Sequence, residues 1–282
     1  MTPELRVYVS ASVQNALAED IGSGDLTASL VPEAQRAHAT IITRDAAVIC
    51  GQPWVDEVFR QLDPSIHVAW QVPEGATTRE GDTLCTVEGL ARPMLTGERT
   101  ALNFLQTLSA VASATRVCVD AIAGTRARIL DTRKTIPGLR LAQKYAVRIG
   151  GGTNHRLGLH DAILVKENHI VAAGSIAAAV LQARAQGMSV LLEVEVETLE
   201  QAQEAMDAGA DRLLLDNFDL ARMREAVALR DRVSPDTTLE ASGGININTL
   251  RPVAETGVDF ISIGALTKNV RAVDLSMRFR FA

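Results

Sequence analysis

The sequence predicts an α/β protein whose C-terminal half is an open or incomplete parallel barrel. From residue 128 onwards, short apolar runs alternate with amphipathic segments of the usual length of crossover helices. Three of the helical segments end at glycines, at positions 187, 209 and 257. This alternation is typical of βα units that build a parallel sheet. Six strands fall short of the eight in a closed barrel, and a doubly wound sheet is the alternative.

The N-terminal half predicts an α+β unit. Its expected helices cover residues 12–20, 53–62 and 92–124, and its β segments cover 37–50, 67–72 and 72–89. In the last helix, apolar residues recur at three- and four-residue steps, which is the pattern of an amphipathic helix. Two glycine turns separate the short β runs of 72–89.

The C-terminal half predicts strands and helices in strict alternation. The strands are expected within residues 128–134, 161–169, 189–197, 211–217, 238–245 and 259–266. The helices are expected within 139–149, 175–187, 198–209, 219–233 and 247–257. Carboxyl ends of parallel strands meet at one edge of the sheet, so residues that end these runs are the first candidates for a site.

Bulk composition excludes several classes of protein. The formal net charge of −6 argues against nucleic acid or an anionic membrane surface as the main partner. The three cysteines are far apart and odd in number, which favours small buried residues in a reducing cytoplasm over disulfides or a metal site. The sequence predicts neither a membrane span nor a secretory signal.

Charged and small polar residues stand at the ends of the predicted strands. In chain order they are Asp131, Arg133 and Lys134; Lys166; Glu193, Glu195 and Glu197; Asp216 and Asn217; Glu240 and Ser242-Gly243-Gly244; and Gly264. The three glutamates alternate with valines, so they share one face of their strand. In a barrel the other face meets the helices, and the glutamates are therefore expected at the mouth or interior.

These residue types predict an anion site combined with a hydroxyl or cation site. Arg133, Lys134, His155, Arg156 and Lys166 suit a ligand that carries several negative charges. Glycines after the fifth strand suit a phosphate group, because bare backbone N–H groups can approach it.

Two carboxylates complete the predicted site. Glu195 and Asp216 suit sugar hydroxyls or a hard cation such as Mg²⁺. The combination suggests a phosphorylated sugar and an acidic co-substrate. The alternative is a purely structural ion-pair network, for example Lys166 with Glu195.

Nine motifs together resemble one family, the quinolinate phosphoribosyltransferases. In chain order they are EDIGSGDLT, GERTALNFLQ, DTRKTIPGLR, GGGTNHRLGLHD, LVKENH, EVEVETLEQA, LLLDNF, ASGGI and SIGALT. The resemblance covers almost the whole chain. It implies an N-terminal sandwich domain at 1–110 and an incomplete barrel of about six or seven strands at 111–269. It also implies that residues 270–282 pack on the first domain.

The resemblance also implies an activity. Members transfer phosphoribosyl from 5-phosphoribosyl-1-pyrophosphate (PRPP) to quinolinate with decarboxylation, which gives nicotinate mononucleotide for NAD biosynthesis. They are pentosyltransferases that require Mg²⁺. They form homodimers in which one subunit's sandwich domain closes the other's barrel. Higher oligomers are a further possibility.

Carried over by motif, the resemblance implies a role for each site residue. Arg99 would reach the partner's site and bind quinolinate. Arg133, His155 and Arg156 would bind the two carboxylates, beside Thr132, Lys134 and Lys166. Glu195 and Asp216 would serve the ribose hydroxyls and Mg²⁺, directly or through water. Ser242, Gly243, Gly244 and Gly264 would bind the 5′-phosphate. The implied catalytic residues are Lys134, Lys166, Glu195 and Asp216.

Three other functions remain as alternatives. A related phosphoribosyltransferase, such as a nicotinate-specific enzyme or the molybdate-operon paralogue, would use the same scaffold, although nicotinate lacks the second carboxylate. A class I aldolase would use Lys166 as a Schiff-base nucleophile. A sugar-phosphate sensor would bind ligand without turnover.

Overall fold

The computed structural model describes residues 1–281, which form two compact units. The first unit contains residues 1–116, 136–151 and those from 267 onwards, and the second contains residues 117–135 and 152–266. The boundary expected between 110 and 111 falls inside a long helix that covers Ala91–Ala121. The segment 136–151 belongs to the first unit, although it lies between two strands of the second in sequence.

The N-terminal half alternates helices with short strands. In order the elements are α1 (Pro3–Ile21), a 3₁₀ turn (Ala28–Leu30), β1 (Arg36–Thr43), β2 (Ala47–Val48), α2 (Gln52–Leu62), β3 (His67–Trp70), β4 (Thr77–Thr78), β5 (Thr83–Leu90) and α3 (Ala91–Ala121). The predicted helices and β segments of this half are therefore present, with shifted ends.

The C-terminal half has the predicted alternation of strands and helices. In order the elements are β6 (Arg128–Leu130), α4 (Arg140–Ile149), β7 (Ala162–Val165), α5 (Glu167–Ala173), α6 (Ile176–Ala185), β8 (Leu191–Val196), α7 (Leu199–Asp207), β9 (Arg212–Asp216), α8 (Leu220–Val233), β10 (Thr238–Ser242), α9 (Ile247–Ala254), β11 (Phe260–Ser262), α10 (Ala265–Lys268) and β12 (Leu275–Phe281).

Helix α1 begins at Pro3, earlier than the start predicted at residue 12. The Thr2 hydroxyl accepts a hydrogen bond from the Leu5 N–H, and Pro3 occupies the first helical turn. Both are standard signals for a helix start, because the cap satisfies a free N–H and proline lacks one. Val9, Val13 and Leu17 are buried and lie along one side of the helix.

The first unit is built on a four-stranded antiparallel sheet in the order β12-β1-β5-β3. Residues 37–43 of β1 pair in register with Leu275–Phe281, so the C-terminal strand completes this sheet. Trp54 and Phe59 of α2 are fully buried in the same core. Met277 of β12 also lies in this core, which therefore includes residues from both ends of the chain.

The second unit is a six-stranded parallel sheet in the order β6-β11-β10-β9-β8-β7. The edge strands β6 and β7 are not paired with each other within residues 1–281, so the barrel is incomplete, as the sequence predicts. One isolated parallel bridge joins Leu130 to Thr153, which places a rudimentary seventh segment beside β6.

The strands of the second unit divide their side chains cleanly between two faces. Val194 and Val196 of β8 pack in the apolar core formed with the surrounding helices. Glu193 and Glu195 alternate with them and therefore point to the opposite face. The period-two pattern of this strand thus predicted its orientation correctly.

A close approach of two helices explains Gly150, which follows α4. A Cβ at this position would lie 2.5 Å from the Ala112 carbonyl oxygen and 2.6 Å from Cβ of Thr115. Only glycine allows α4 to end this close to α3. Gly151 follows with a positive φ of 94°, which turns the chain after the helix.

The three cysteines, Cys50, Cys85 and Cys118, are buried thiols and form no disulfide. Burial raises the pKa of each thiol. They therefore act as small core residues, as the sequence predicts. No helix within residues 1–281 is both long and apolar enough to cross a membrane.

A partly buried carboxylate caps α2 from outside the helix. Gly51 precedes α2 and provides no side-chain cap. Glu74 accepts hydrogen bonds from the N–H groups of Gly51 at 2.9 Å and Gln52 at 3.2 Å. Its Oε1 also accepts from the Tyr145 hydroxyl at 2.9 Å. This arrangement satisfies free N–H groups and places negative charge at the positive end of the helix.

We expect Glu74→Ala to lower the free energy of unfolding by about 1–3 kcal/mol, because three partly buried donors lose their acceptor. Denaturant unfolding followed by circular dichroism would measure this loss. The matched control is Glu80→Ala, at an exposed position of the same segment, with an expected change within about 0.5 kcal/mol. Equal effects of the two substitutions would contradict the capping role.

Candidate active site

A cavity of about 460 Å³ opens at the carboxyl ends of the parallel strands. Its polar lining consists of Thr132, Arg133, Lys134, His155, Arg156, Lys166, Glu195, Asp216, Glu240, Ser242 and Ser262. Nine of these eleven residues are site residues predicted from the sequence. The charged residues that end the separate strands therefore do converge at one mouth.

Strand ends deliver most of these side chains, and the loop before β7 delivers His155 and Arg156. Lys166 directly follows β7, Glu195 lies near the end of β8, and Asp216 and Ser242 are the last residues of β9 and β10. Ser242 is the register partner of Asp216, so the acidic and the phosphate-type positions are neighbours. Arg99 is exposed on α3 and belongs to the first unit.

The basic wall of the cavity contains two arginines. Arg156 donates from one guanidinium nitrogen to the Ala162 carbonyl oxygen at 3.3 Å. Its pKa is lowered by burial and by the positive charge of Arg133. Two guanidinium groups that repel each other at a cavity wall favour an anionic ligand between them.

The loop that carries His155 is anchored by a buried carboxylate. Asp131 is fully buried after β6. It accepts hydrogen bonds from the His155 backbone N–H at 2.9 Å and from the Asn154 side-chain amide at 2.6 Å. Asp131 therefore fixes the loop and does not line the cavity, although its sequence position made it a candidate for the site.

The His155 ring stands on two buried glutamates. Its Nε2 lies 2.8 Å from a carboxylate oxygen of Glu193 and 3.4 Å from one of Glu240. Arg212 lies 3.6 Å from the same Glu240 oxygen. The other ring nitrogen, Nδ1, accepts the backbone N–H of Arg156 at 2.7 Å. The ring thus links the barrel interior to the arginine wall.

Charges in this cluster shift two pKa values strongly. Burial lowers the pKa of His155, but the hydrogen bonds and charges of Glu193 and Glu240 outweigh it and raise the value to about 9. Burial and the charge of Glu240 raise the pKa of Glu193 to about 7. Since Nδ1 accepts the Arg156 N–H, the ring hydrogen lies on Nε2, which faces the carboxylates of Glu193 and Glu240.

The acidic side of the cavity is formed by Glu195 and Asp216. Glu195 is ion-paired with Lys166, whose side chain is 47% exposed. Burial and the negative charge of Glu195 raise the pKa of Asp216. The predicted Lys166–Glu195 pair therefore exists. Because a partly exposed pair contributes little to stability, the pair does not by itself explain the site.

His169 has a structural task that the sequence did not reveal. Its Nδ1 accepts the backbone N–H of Lys166 at 3.0 Å, which caps the start of α5. The ring thereby fixes the backbone from which the Lys166 side chain enters the cavity. The spacing of three residues between them is that of a capping box.

The glycine turn after β10 has the expected open backbone. Gly243 and Gly244 have positive φ values of 103° and 60°. After the neighbouring strand β11, a Cβ at Gly264 would lie 3.0 Å from the Lys134 side chain and 3.4 Å from the Thr132 hydroxyl. Glycine at 264 therefore keeps room beside these two residues.

Sequence reasoning missed the supporting groups beneath the cavity. Glu193 and Glu240 were recognised as strand residues, but their contact with His155 was not predicted. The alternation of Glu193 with Glu195 was the available signal, since it places both on the inner face. The rotamer of His155 has no sequence signature.

Comparisons with known proteins give the family. The family profile described as "Quinolinate phosphoribosyl transferase, N-terminal domain" matches residues 25–109. The profile for the C-terminal domain of the same family matches residues 111–278. The two matches together cover most of the chain.

Individual relatives are similar to this chain over most of its length. The chain is 41% identical over 273 residues to a carboxylating nicotinate-nucleotide pyrophosphorylase of Mycobacterium leprae, covering 94% of this chain and 95% of the relative. It is 37% identical over 271 residues to the rat enzyme of the same name, with 95% and 90% covered.

A solved structure agrees as well. The nicotinate-nucleotide pyrophosphorylase of Francisella tularensis superposes with a TM-score of 0.95 at 44% identity, and covers 99% of this chain and 98% of its own. Sequence and fold thus both match this family over nearly the full length of the chain. The chain belongs to the quinolinate phosphoribosyltransferase family.

Proposed function

We propose that this chain transfers phosphoribosyl from PRPP to quinolinate with decarboxylation, which yields nicotinate mononucleotide, pyrophosphate and CO₂ for NAD biosynthesis. The observation that carries the proposal is the convergence at one cavity of an arginine wall, a carboxylate pair and Ser242, which directly precedes a glycine turn. The relatives named above are carboxylating nicotinate-nucleotide pyrophosphorylases, which supports this choice of reaction.

The arginine wall suits quinolinate. Arg133 and Arg156 offer planar N–H pairs that match carboxylate groups, and Lys134 and Lys166 add positive charge nearby. His155 supports this wall from below through Arg156. A ligand with two carboxylates balances the mutual repulsion of the arginines better than one with a single carboxylate, so quinolinate is favoured over nicotinate.

The acidic side and the glycine turn suit PRPP. Ser242, Gly243 and Gly244 bind the 5′-phosphate by backbone N–H groups and the serine hydroxyl. Gly264, after the neighbouring strand β11, leaves space beside Thr132 and Lys134. Glu195 and Asp216 accept hydrogen bonds from the ribose hydroxyls, because ionised carboxylates have only acceptor atoms.

The chemistry requires positioning and charge stabilisation. The pyridine nitrogen of quinolinate forms a bond to C1 of the ribose as the bond from C1 to pyrophosphate breaks. Positive charge then develops on the sugar, and the nearby carboxylates of Glu195 and Asp216 stabilise it. Holding both reactants aligned supplies a further part of the rate.

Decarboxylation follows at the carbon next to the ring nitrogen. The C–C bond to that carboxylate breaks, CO₂ leaves, and the electron pair stays on the ring carbon until a solvent proton replaces the carboxylate. The positive charge of the new pyridinium nitrogen stabilises this pair. The cations of the basic wall add to that effect, and no side chain becomes covalently attached.

Magnesium fits the acidic side of the cavity. Asp216 has a raised pKa partly because Glu195 is negative, and a divalent cation would relieve that repulsion. Glu195 and Asp216 would hold the ion directly or through water, and the ion would neutralise charge on the pyrophosphate. Lys134 and Lys166 also lower the pKa of Asp216 and share this neutralisation.

A homodimer would complete the site. Arg99 is exposed on α3 in the first unit, and the nine-motif resemblance assigns it to the partner's quinolinate pocket. We propose that each active site combines the barrel of one subunit with Arg99 of the other. Higher assembly and a cytoplasmic location are compatible with this arrangement and belong to the same proposal.

An aldolase reaction through Lys166 is disfavoured by the geometry. A Schiff-base lysine must lose its proton to attack a carbonyl. The Lys166 nitrogen is instead occupied by its contact with the Glu195 carboxylate, which it would have to leave to reach a carbonyl carbon. We therefore expect no borohydride-trapped adduct with carbonyl substrates.

The assignment predicts a defined product. With quinolinate, PRPP and Mg²⁺, the protein should form nicotinate mononucleotide and release CO₂ from the labelled carboxylate, detected by chromatography and scintillation counting. Nicotinate should be a poor substrate, and chelation of Mg²⁺ should abolish turnover. Product from nicotinate but none from quinolinate would overturn the assignment.

The acidic pair offers a test with a control close by in the sequence. Glu195→Gln should lower kcat by at least about a hundredfold, the usual cost of removing one charge-stabilising group. Glu197→Gln, at an exposed position two residues further along, should leave kcat unchanged. Steady-state kinetics with quinolinate measures both, and equal losses would contradict the role of Glu195.

The shared site predicts complementation between inactive variants. Arg99→Ala and Lys166→Ala should each be inactive alone. Mixed and allowed to exchange subunits, they should regain about a quarter of wild-type activity, because random pairing yields one intact site in half of the dimers. Exchange would be verified with differently tagged subunits, and no recovery after exchange would contradict a contribution of Arg99 across the interface.

A further inference from the structure

Asn217, directly after β9, has an unusual backbone. Its φ is 56°, and it is the one non-glycine residue within 1–281 with a positive φ. Asparagine tolerates this left-handed conformation better than most residues, but the conformation is sparsely populated. Such outliers persist where the surroundings fix them, and they cluster at functional sites.

The backbone of Asn217 is fixed from two sides. Its N–H donates to the Ser242 carbonyl oxygen at 3.1 Å. Its own carbonyl oxygen accepts from the Arg222 guanidinium at 3.2 Å. Asn217 is thus tied both to the strand that precedes the glycine turn and to α8.

The side chain of Asn217 contacts the acidic side of the cavity. Its Nδ2 donates to one carboxylate oxygen of Asp216 at 2.9 Å. This bond fixes the rotation of the Asp216 carboxylate and leaves the second oxygen for other partners. An oriented carboxylate binds a hydroxyl or a cation better than a freely rotating one, since less freedom is lost on binding.

The same side chain also lies against the glycine turn. A Cβ added to Gly243 would lie 2.1 Å from Oδ1, 2.8 Å from Cγ and 3.0 Å from the backbone nitrogen of Asn217. All three nearest neighbours of that space belong to Asn217. A side chain at position 243 would therefore clash with Asn217. Gly243 also has a φ of 103°, a backbone conformation that favours glycine.

We infer that Asn217 is a positioning residue that holds the Asp216 carboxylate and the Ser242–Gly244 turn at the spacing of one phosphoribosyl group. The inference rests on the proposed function, and it deepens it by naming the group that sets the distance between the ribose and phosphate subsites. Asn217 acts through Asp216 and Gly243. The alternative is that asparagine occurs here only because it tolerates the left-handed backbone conformation.

Two substitutions separate these readings. Asn217→Gly retains the left-handed backbone and removes the side chain, so backbone tolerance alone predicts no change in PRPP binding. Asn217→Asp retains the shape but replaces the Nδ2 donor by an oxygen beside Asp216. Asn248→Ala, at an exposed position in α9 beyond the turn, is the control and should behave as wild type.

The first readout is kinetic. Asn217→Gly should raise KM for PRPP about tenfold, the size expected when a hydrogen bond to a charged group is lost. KM for quinolinate should change less than about twofold, because the arginine wall is not involved. The melting temperature should equal that of the wild type. Asn217→Asp should raise KM for PRPP at least as much.

The second readout is binding without turnover. Titration calorimetry with ribose 5-phosphate, with and without Mg²⁺, should show the same approximately tenfold loss of affinity in Asn217→Gly. Gly243→Ala should also bind weakly, but the double variant should lose less than the sum of the two single losses, because the clash with Oδ1 and Cγ is gone.

These outcomes separate the inference from the proposed function. Any one of three results would overturn the inference. These are wild-type affinity for ribose 5-phosphate in both Asn217 variants, strict additivity of Asn217→Gly with Gly243→Ala, and equal increases in the KM values for PRPP and quinolinate. A wild-type protein that makes no nicotinate mononucleotide would overturn the proposed function. The calorimetric comparison would then still test Asn217.

Discussion

The contact between His155 and the two buried glutamates organises the candidate site. Removing two carboxylates from water is costly, and the cost is tolerable only where a cation or a proton compensates. Here the ring of His155 and the guanidinium of Arg212 provide that compensation. Because the opposite ring nitrogen accepts the Arg156 N–H, the buried charges hold the start of the basic wall in place.

The fold was predictable from the sequence where periodicity and burial act together. The strand at 191–196 is an example, because alternating valines and glutamates can satisfy only one orientation. Helix α4 is an example of the opposite kind. Its pattern predicts a crossover helix of the barrel, yet Ala142, Ala146 and Val147 pack in the core of the first unit. An amphipathic pattern specifies that a face is buried and leaves open which core buries it.

The candidate site, like the fold, was predictable only in part. Strand ends of a parallel sheet converge, so the sequence identifies the residues around the mouth without any contact being known. The supporting residues follow a different logic. Asp131, Glu193, Glu240 and His169 act through hydrogen bonds whose partners lie on other elements or depend on one rotamer, and such contacts leave no periodic signal.

The pairing of β12 with β1 has a consequence for biosynthesis. The sheet of the first unit gains its final strand from residues 275–281, which are synthesised after all the other strands. Every strand of the second unit has been synthesised by residue 262. During translation, the parallel sheet can therefore assemble while the sheet begun by the N-terminal residues still has an open edge. A nascent chain that stalls before residue 275 would present that edge to other proteins, so the addition of β12 is the step that closes it.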